Sequence, residues 1–468
     1  MAYTVPFLIN GEEITSPKTF DVKNPLDDSL LWKASAATVE DVEAVVQSAS
    51  DAFRSWSTTK LVKRRELIYK LVEVLERRKQ ELADSMAEET AALGGWVDFT
   101  ISQTVELARE IAGGVGRIVG TIPESEEEGR TALVQKEPYG VVLAIAPWNA
   151  PTILSLRAAL FPIAAGNTVV LKTSELSPKT HYLLASCFKG AGFPPGVLNT
   201  ICHAREDAPL IANALISHRA VRKISFTGST PVGKVIAAKA GEYLKPVLLE
   251  LGGKSPMVVL ADADIKKAAG AAVIGSYLHS GQICMATEMI IVQDSILEEF
   301  ITELAEATKK FGETQALVPP GALEKLNNLV ESAVNQGAKV VNPPKEIPSR
   351  AKFPNLIIRD VTREMELYHT GSFGPLATVI SASSEEEAIA IANDTEFGLS
   401  AAVWTMDLAK GLKIAKRIES GAVHINGMTV HDEPALPHGG IKESGFGRFG
   451  SSWGIEEFLT TKTITFMS

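Results

Sequence analysis

The chain is predicted to fold as α/β, with two parallel-sheet units and a small β arm, on three observations. From Glu137 onward, short apolar runs alternate with helix-length stretches, the pattern of a parallel, doubly wound sheet. A second set of alternations follows Cys284. At 468 residues the chain exceeds what one hydrophobic core serves, so about two or three domains are expected.

The N-terminal region reads as helices. Thr38–Ser57 carries Val42, Val45, Val46 and Ala49 at helical spacing, with Thr38 and Asp41 as a capping pair. Lys63–Ala92 repeats the period with Leu67, Leu71, Val74 and Leu75. Strands are predicted at Val141–Ala146, Thr168–Lys172, Val197–Ile201, Lys223–Thr227 and Val247–Leu251, with helices over Ser177–Gly190 and Asp207–Ser217 between them. In the second unit Met289–Val292, Lys339–Val341, Ala401–Thr405 and Ala422–Asn426 read as strands. Ser295–Lys310, Ala322–Gln336 (closed by Gly337) and Asp407–Ile418 read as helices. This unit is expected to make the other wall of a cleft.

Two segments fit neither unit. Arg117–Val134 bears the acidic run Glu124-Ser125-Glu126-Glu127-Glu128, and the tail Thr460–Phe466 alternates like an edge strand. An unpartnered edge invites another chain, so these segments are either an oligomer arm or a solvated hairpin.

Bulk properties exclude several classes. A net charge of −10 with no basic stripe argues against nucleic acid. Three cysteines (Cys187, Cys202, Cys284) do not make a disulfide framework and favour a reducing compartment. The N-terminus lacks the basic and apolar regions of a signal peptide, and no apolar run approaches the ~20 residues of a membrane span, so a cytoplasmic location is expected.

The chemistry concentrates between Leu249-Glu250-Leu251-Gly252-Gly253-Lys254 and Ser280-Gly281-Gln282-Ile283-Cys284-Met285. Attack on a carbonyl followed by hydrolysis needs a sulfur nucleophile and a general base for water, which Cys284 and Glu250 offer. The alternative for each is core filler and a strand end. Phe226-Thr227-Gly228-Ser229 leads from a strand into a helix start, either an anion cradle or a tight turn. Lys172 and Glu175 end a strand, where doubly wound sheets bind ligands, or else form a solvated pair. A carboxylate there accepts from ribose hydroxyls and repels a 2′-phosphate, favouring NAD. Asn149, between Pro147 and Pro151, offers an amide to a developing oxyanion, or is a turn residue.

Together these motifs resemble the NAD(P)-dependent aldehyde dehydrogenase superfamily. Pro147-Trp148-Asn149, Gly166-Asn167-Thr168-Val169-Val170-Leu171-Lys172, Phe226-Thr227-Gly228-Ser229, Glu250-Leu251-Gly252-Gly253-Lys254 and Gly281-Gln282-Ile283-Cys284 carry the resemblance. So do Ser372-Phe373-Gly374-Pro375, Asn393 with Gly398-Leu399-Ser400, and Gly439-Gly440 with Ser444-Gly445. The resemblance implies a Rossmann-like NAD-binding domain (1–116 and 140–251), a catalytic domain (252–447) and an oligomerisation domain (117–139 and 448–468). It implies that Cys284 attacks the aldehyde, that Asn149 with the Cys284 backbone N–H holds the oxyanion, and that Glu250 activates water against the thioester. Cofactor contacts are implied for Ile145, Ala146, Pro147, Trp148, Lys172, Ser174, Glu175, Phe226, Gly228, Ser229, Val232, Leu251, Gly252 and Phe373. No metal is expected; the implied partners are a small aldehyde and a second copy in a homodimer, with a tetramer as the alternative.

Asn149-Ala150-Pro151, Cys284-Met285-Ala286-Thr287 and Asp432-Glu433-Pro434 look like the salicylaldehyde, vanillin and benzaldehyde dehydrogenases. That branch implies an aromatic substrate pocket of Trp96, Ala150, Arg157, Ile283, Met285 and His438. Ala150 leaves room for a ring, Trp96 stacks on it, and Arg157 binds a phenolic oxygen; alternatively Trp96 packs and Arg157 forms a structural ion pair. His438 replaces the usual Phe and is read as a polar contact to a ring substituent or a solvent-exposed mouth residue. Gly371 replaces a glutamate that grips the nicotinamide ribose in most relatives, so looser NAD binding is expected. Phe449 replaces an acidic residue many relatives use. Phe311–Gly321 is shorter than in most relatives and is assigned no site. An aliphatic aldehyde dehydrogenase and a non-catalytic NAD-binding homologue are the rival functions.

Overall fold

The computed structural model describes residues 3–312, 316–344 and 351–467. Residues 313–315, within the short stretch noted above, lie outside that description.

The described residues form two large sheets. The first has eight strands, whose parallel centre runs Val247–Glu250, Val221–Thr227, Val141–Ile145, Thr168–Lys172 and Leu198–Ile201 in spatial order. These strands are apolar almost throughout because helices cover both faces. Register aligns their carboxyl ends: Ile145 pairs with Lys172 and Phe226, and Thr227 with Glu250. That row of ends is where such sheets bind ligands. The helix Pro151–Ala165, buried at every residue, passes between this sheet and the long helices Leu61–Thr90 and Gly94–Gly114.

The second sheet has seven strands, parallel except for the edge strand Lys339–Val340. Side chains alternate in its central strands: Met257, Val259, Ile290 and Val292 pack with the helices Ile265–Tyr277 and Leu297–Phe311. Val258, Met289 and Ile291 face Ala322–Asn335, Glu385–Asn393 and Leu408–Ala415 instead.

Most predicted elements form close to their expected bounds. Thr38 and Asp41 build a reciprocal capping box on the helix Val39–Trp56. The tail strand Leu459–Met467 pairs antiparallel with Arg130–Pro138, so the predicted arm is a ribbon, and the acidic run lies in the loop before it. Some features depart from expectation. Gly445–Phe446, expected in the second unit, instead pairs antiparallel with Leu249 and Glu250 and closes the edge of the first sheet. An N-terminal three-stranded sheet (Thr4–Val5, Thr19–Lys23, Leu30–Ser35) has no counterpart in the prediction.

Candidate active site

Glu250 ends its strand at the first sheet's carboxyl edge and is buried. Cys284 reaches it from the second unit through a sharp turn in which His279, Ser280 and Gly281 all have positive φ. Glycine is required at 281, since a Cβ there would lie 2.2 Å from the Gly374 carbonyl. Gln282 fixes the turn: its amide donates to the carbonyls of His279 and Ala316 and accepts from the Val318 N–H. The result places Cys284 Sγ 3.2 Å from Glu250 Oε1, to which it donates.

Asn149 stands beside this pair. Its Nδ2 donates to the Gln282 carbonyl at 3.0 Å, which leaves its second amide hydrogen for another acceptor. Its own carbonyl accepts from Trp96 Nε1 at 2.9 Å. Trp96 is therefore a structural support for Asn149. Its ring lies nearly parallel to Phe99 and His279, at 5.6 and 5.7 Å, the packing given above as the alternative for this residue. Ala150, Ile283 and Met285 are buried in the same apolar cluster.

Arg157 forms the structural ion pair given above as the alternative to a phenol donor. It is buried and binds two carboxylates, Glu250 Oε2 at 2.6 Å through Nη2 and Asp432 Oδ2 at 2.8 Å through Nη1. The Phe449 ring packs on the guanidinium at 4.8 Å. His438 is not a solvent-exposed mouth residue: it is buried, with Nε2 3.6 Å from Glu250 Oε1 and Nδ1 3.8 Å from Asp432 Oδ1.

These contacts set the electrostatics. Burial works against the Glu250 charge, but Arg157 and His438 outweigh it and hold the carboxyl at about 2. Burial, then the adjoining Glu250 charge, drives the Cys284 thiol well above the ordinary thiol range. The resting pair is thus a thiol donating to a carboxylate.

The residues expected to hold a cofactor line the same edge. Ile145, Ala146 and the half-buried Pro147 and Trp148 leave the central strand; Lys172, Ser174 and Glu175 follow the neighbouring one. Gly228, after Phe226, leads to Ser229, which caps the helix Thr230–Glu242 in extended conformation with no side-chain bond, leaving the Thr230 and Val232 amides uncapped on either side of Pro231. Val232 in that helix is exposed. Leu251 packs where a Cβ on Gly233 would lie 2.5 Å away, and Gly252 accepts from Ser444 Oγ. Trp148 and Phe373 meet edge-on at 6.0 Å.

Sequence reasoning missed Glu288. This buried carboxylate accepts from the Ser372 and Phe373 N–H groups and from Lys254 Nζ at 3.0 Å, while Lys325 Nζ donates to the Gly371 carbonyl. The signal was available, since a lone acid inside the apolar strand Thr287–Gln293 must find partners. Among the described residues no cluster of His, Cys, Asp and Glu suits a metal, and no helix is long and apolar enough to cross a membrane.

A family model described as "Aldehyde dehydrogenase family" matches residues 13–464. A vanillin dehydrogenase of Pseudomonas sp. (strain HR199 / DSM 7063) is 40% identical over 474 residues, covering 99% of this chain and 98% of its own. The structure is similar to that of a salicylaldehyde dehydrogenase from Pseudomonas putida G7 complexed with salicylaldehyde (TM-score 0.96, 38% identity, 99% and 98% of the two chains). It is also similar to a betaine aldehyde dehydrogenase from Staphylococcus aureus in complex with NAD+ (TM-score 0.95, 28% identity, 99% and 95%).

Proposed function

The chain belongs to the aldehyde dehydrogenase family, and from that premise we propose that it oxidises an aromatic aldehyde to the carboxylic acid with NAD. The observation that carries this reading is the Cys284 Sγ contact to Glu250 Oε1 at 3.2 Å, with the Asn149 amide bonded to the same turn.

The residues at the sheet edge fit NAD. The uncapped Thr230 and Val232 amides suit a pyrophosphate oxygen, and Lys172 with Glu175 offers a donor and an acceptor to ribose hydroxyls while disfavouring a 2′-phosphate. Trp148 and Phe373 wall the path towards Cys284. NAD, when bound, supplies a hydride acceptor.

The chain's own groups do the rest. Glu250 takes the thiol proton as Cys284 attacks the carbonyl carbon and releases it to solvent before hydrolysis, and the free Asn149 hydrogen with the Cys284 N–H holds the oxyanion. After oxidation leaves a thioester on Cys284, Glu250 activates water to hydrolyse it. Arg157 and Trp96 support Glu250 and Asn149, and Ala150, Ile283 and Met285 supply apolar side chains beside them. In this reading 1–116 and 140–251 hold NAD, 252–447 carry the nucleophile, and 117–139 with 448–468 join a homodimer through the exposed ribbon. The free cysteines are in keeping with a cytoplasmic setting.

Purified protein mixed with salicylaldehyde, vanillin, benzaldehyde or hexanal tests this. NADH is expected with the aromatic aldehydes at higher kcat/KM than with hexanal, and NAD is preferred to NADP. Faster turnover of hexanal overturns the substrate assignment, an NADP preference overturns the assignment of Glu175, and absence of NADH with every aldehyde overturns the enzyme.

A further inference from the structure

A carboxylate clamped by a buried cation is a poor place for a proton to stay. Burial favours the neutral form of Glu250, yet the Arg157 guanidinium keeps it strongly acidic, so a proton taken from water must move on. Beside the oxygen that faces the thiol stands an imidazole. His438 Nε2 lies 3.6 Å from Glu250 Oε1, the same atom that accepts from Cys284, and is buried without a hydrogen-bond partner. On the far side of the ring Nδ1 faces Asp432 Oδ1 at 3.8 Å. The ring's position is fixed by the backbone, because His438 exchanges both main-chain hydrogen bonds with Phe449, at 3.0 and 2.8 Å.

The surroundings suit a transient imidazolium. Glu250 and Asp432 face it directly, and Arg157 touches it only through those two carboxylates. His424 on the strand Ala422–Ile425 is close enough to feel its charge and is itself held low, at about 4, by burial and by its histidine neighbours. Arg448, next to Phe449, is turned to the Gly440 and Gly447 carbonyls. Beyond Asp432 lies a cavity of ≈ 10 Å³, about the room one water needs. Arg157 Nε and Gln103 Oε1, both buried and unpartnered, belong to residues that line it, as does the exposed Glu433.

We propose that His438 is a proton-relay residue: it receives from Glu250 the proton that Glu250 removes from the hydrolytic water, with Asp432 facing the imidazolium from behind. This rests on Glu250 being the base. The water oxygen bonds to the acyl carbon of the Cys284 thioester, and its proton passes to Glu250 Oε1 and on to His438 Nε2. The carbon–sulfur bond then breaks, its electron pair returns to Sγ, and the acid departs. The imidazolium discharges past Asp432 to solvent. In this scheme His438 acts through Glu250.

An activated ester isolates this half of the reaction, because p-nitrophenyl acetate acylates the thiol without any redox step. His438→Phe and His438→Gln are compared with the parent and with Glu250→Gln by stopped flow across pH 5.5–9. In both histidine variants the p-nitrophenolate burst is expected to persist. Steady-state release falls by about 100-fold, and the pH–rate profile departs from the parent's. A parental rate and profile in His438→Phe, with Glu250→Gln inactive in hydrolysis, overturns the relay alone. Parental hydrolysis in Glu250→Gln overturns the base, and the relay with it. Equal loss of burst and steady phase in both histidine variants also overturns the relay, since a structural role does that.

Discussion

Arg157 holds Glu250 and Asp432 with separate arms of one buried guanidinium, so removing it strands two negative charges away from water. Arg157→Met is expected to lower the unfolding free energy by about 3–5 kcal/mol, read as a lower urea midpoint with unchanged slope. A midpoint within error of the parent would show that the two acids find other partners. This residue also marks what the amino-acid order conceals. Its partner Asp432 is 275 positions away, and nothing near Arg157 in the chain announces a second carboxylate. Cys284, Glu250 and Asn149 were legible because glycines and prolines around them signal special backbone. The partners of Arg157, Trp96 and His438 depend on which side chains the tertiary fold leaves within reach.

At the scale of elements, strands and caps were legible where local chemistry decides them. Thr168–Lys172 forms as predicted, since a β-branched apolar run bounded by polar residues has no better use than a buried strand. The helix Gly94–Gly114 was not predicted. It begins with two glycines and carries Thr100 and Thr104, which weaken its helical signal, and burial of Val97, Ile101, Ala108 and Ile111 secures it. The loop at Ser372 and Phe373 is likewise held from elsewhere, by Glu288 with its partner Lys254. Glu288→Gln frees that loop and leaves Lys254 uncompensated. The expected result is about a tenfold weaker NAD affinity by fluorescence titration, with the Cys284 alkylation rate unchanged. Unaltered NAD binding would show that the loop does not depend on the carboxylate.

For the whole molecule, the balance of buried titratable groups sets the response to acid. Burial, with the Lys172 charge contributing at the first two, depresses His181 to about 3 and His203 to about 4; burial and neighbouring histidines depress His424 to about 4. Each is neutral when folded and takes up a proton when unfolded below its ordinary value of 6.5, so each contribution falls as pH drops through 6.5. Glu89, raised to about 7 by burial, runs the other way, its penalty easing as pH falls from 7 towards 4.5. The Glu250 contribution is complete above 4.5 and fades towards its folded value of about 2. Three histidines outweigh one glutamate, so Tm is expected to fall between pH 6.5 and 5, with unfolding taking up about two protons. A Tm that rises over that interval contradicts this balance.

The pairing of Gly445–Phe446 with Leu249 and Glu250 has a consequence during synthesis. Until residue 445 leaves the ribosome, the strand bearing the base is the rim of an open sheet, its outer amides and carbonyls unsheltered. A nascent chain halted shortly before that point carries nearly every catalytic group yet ends in a sticky border. Competence and protection from aggregation therefore arrive together, in the final moments of translation.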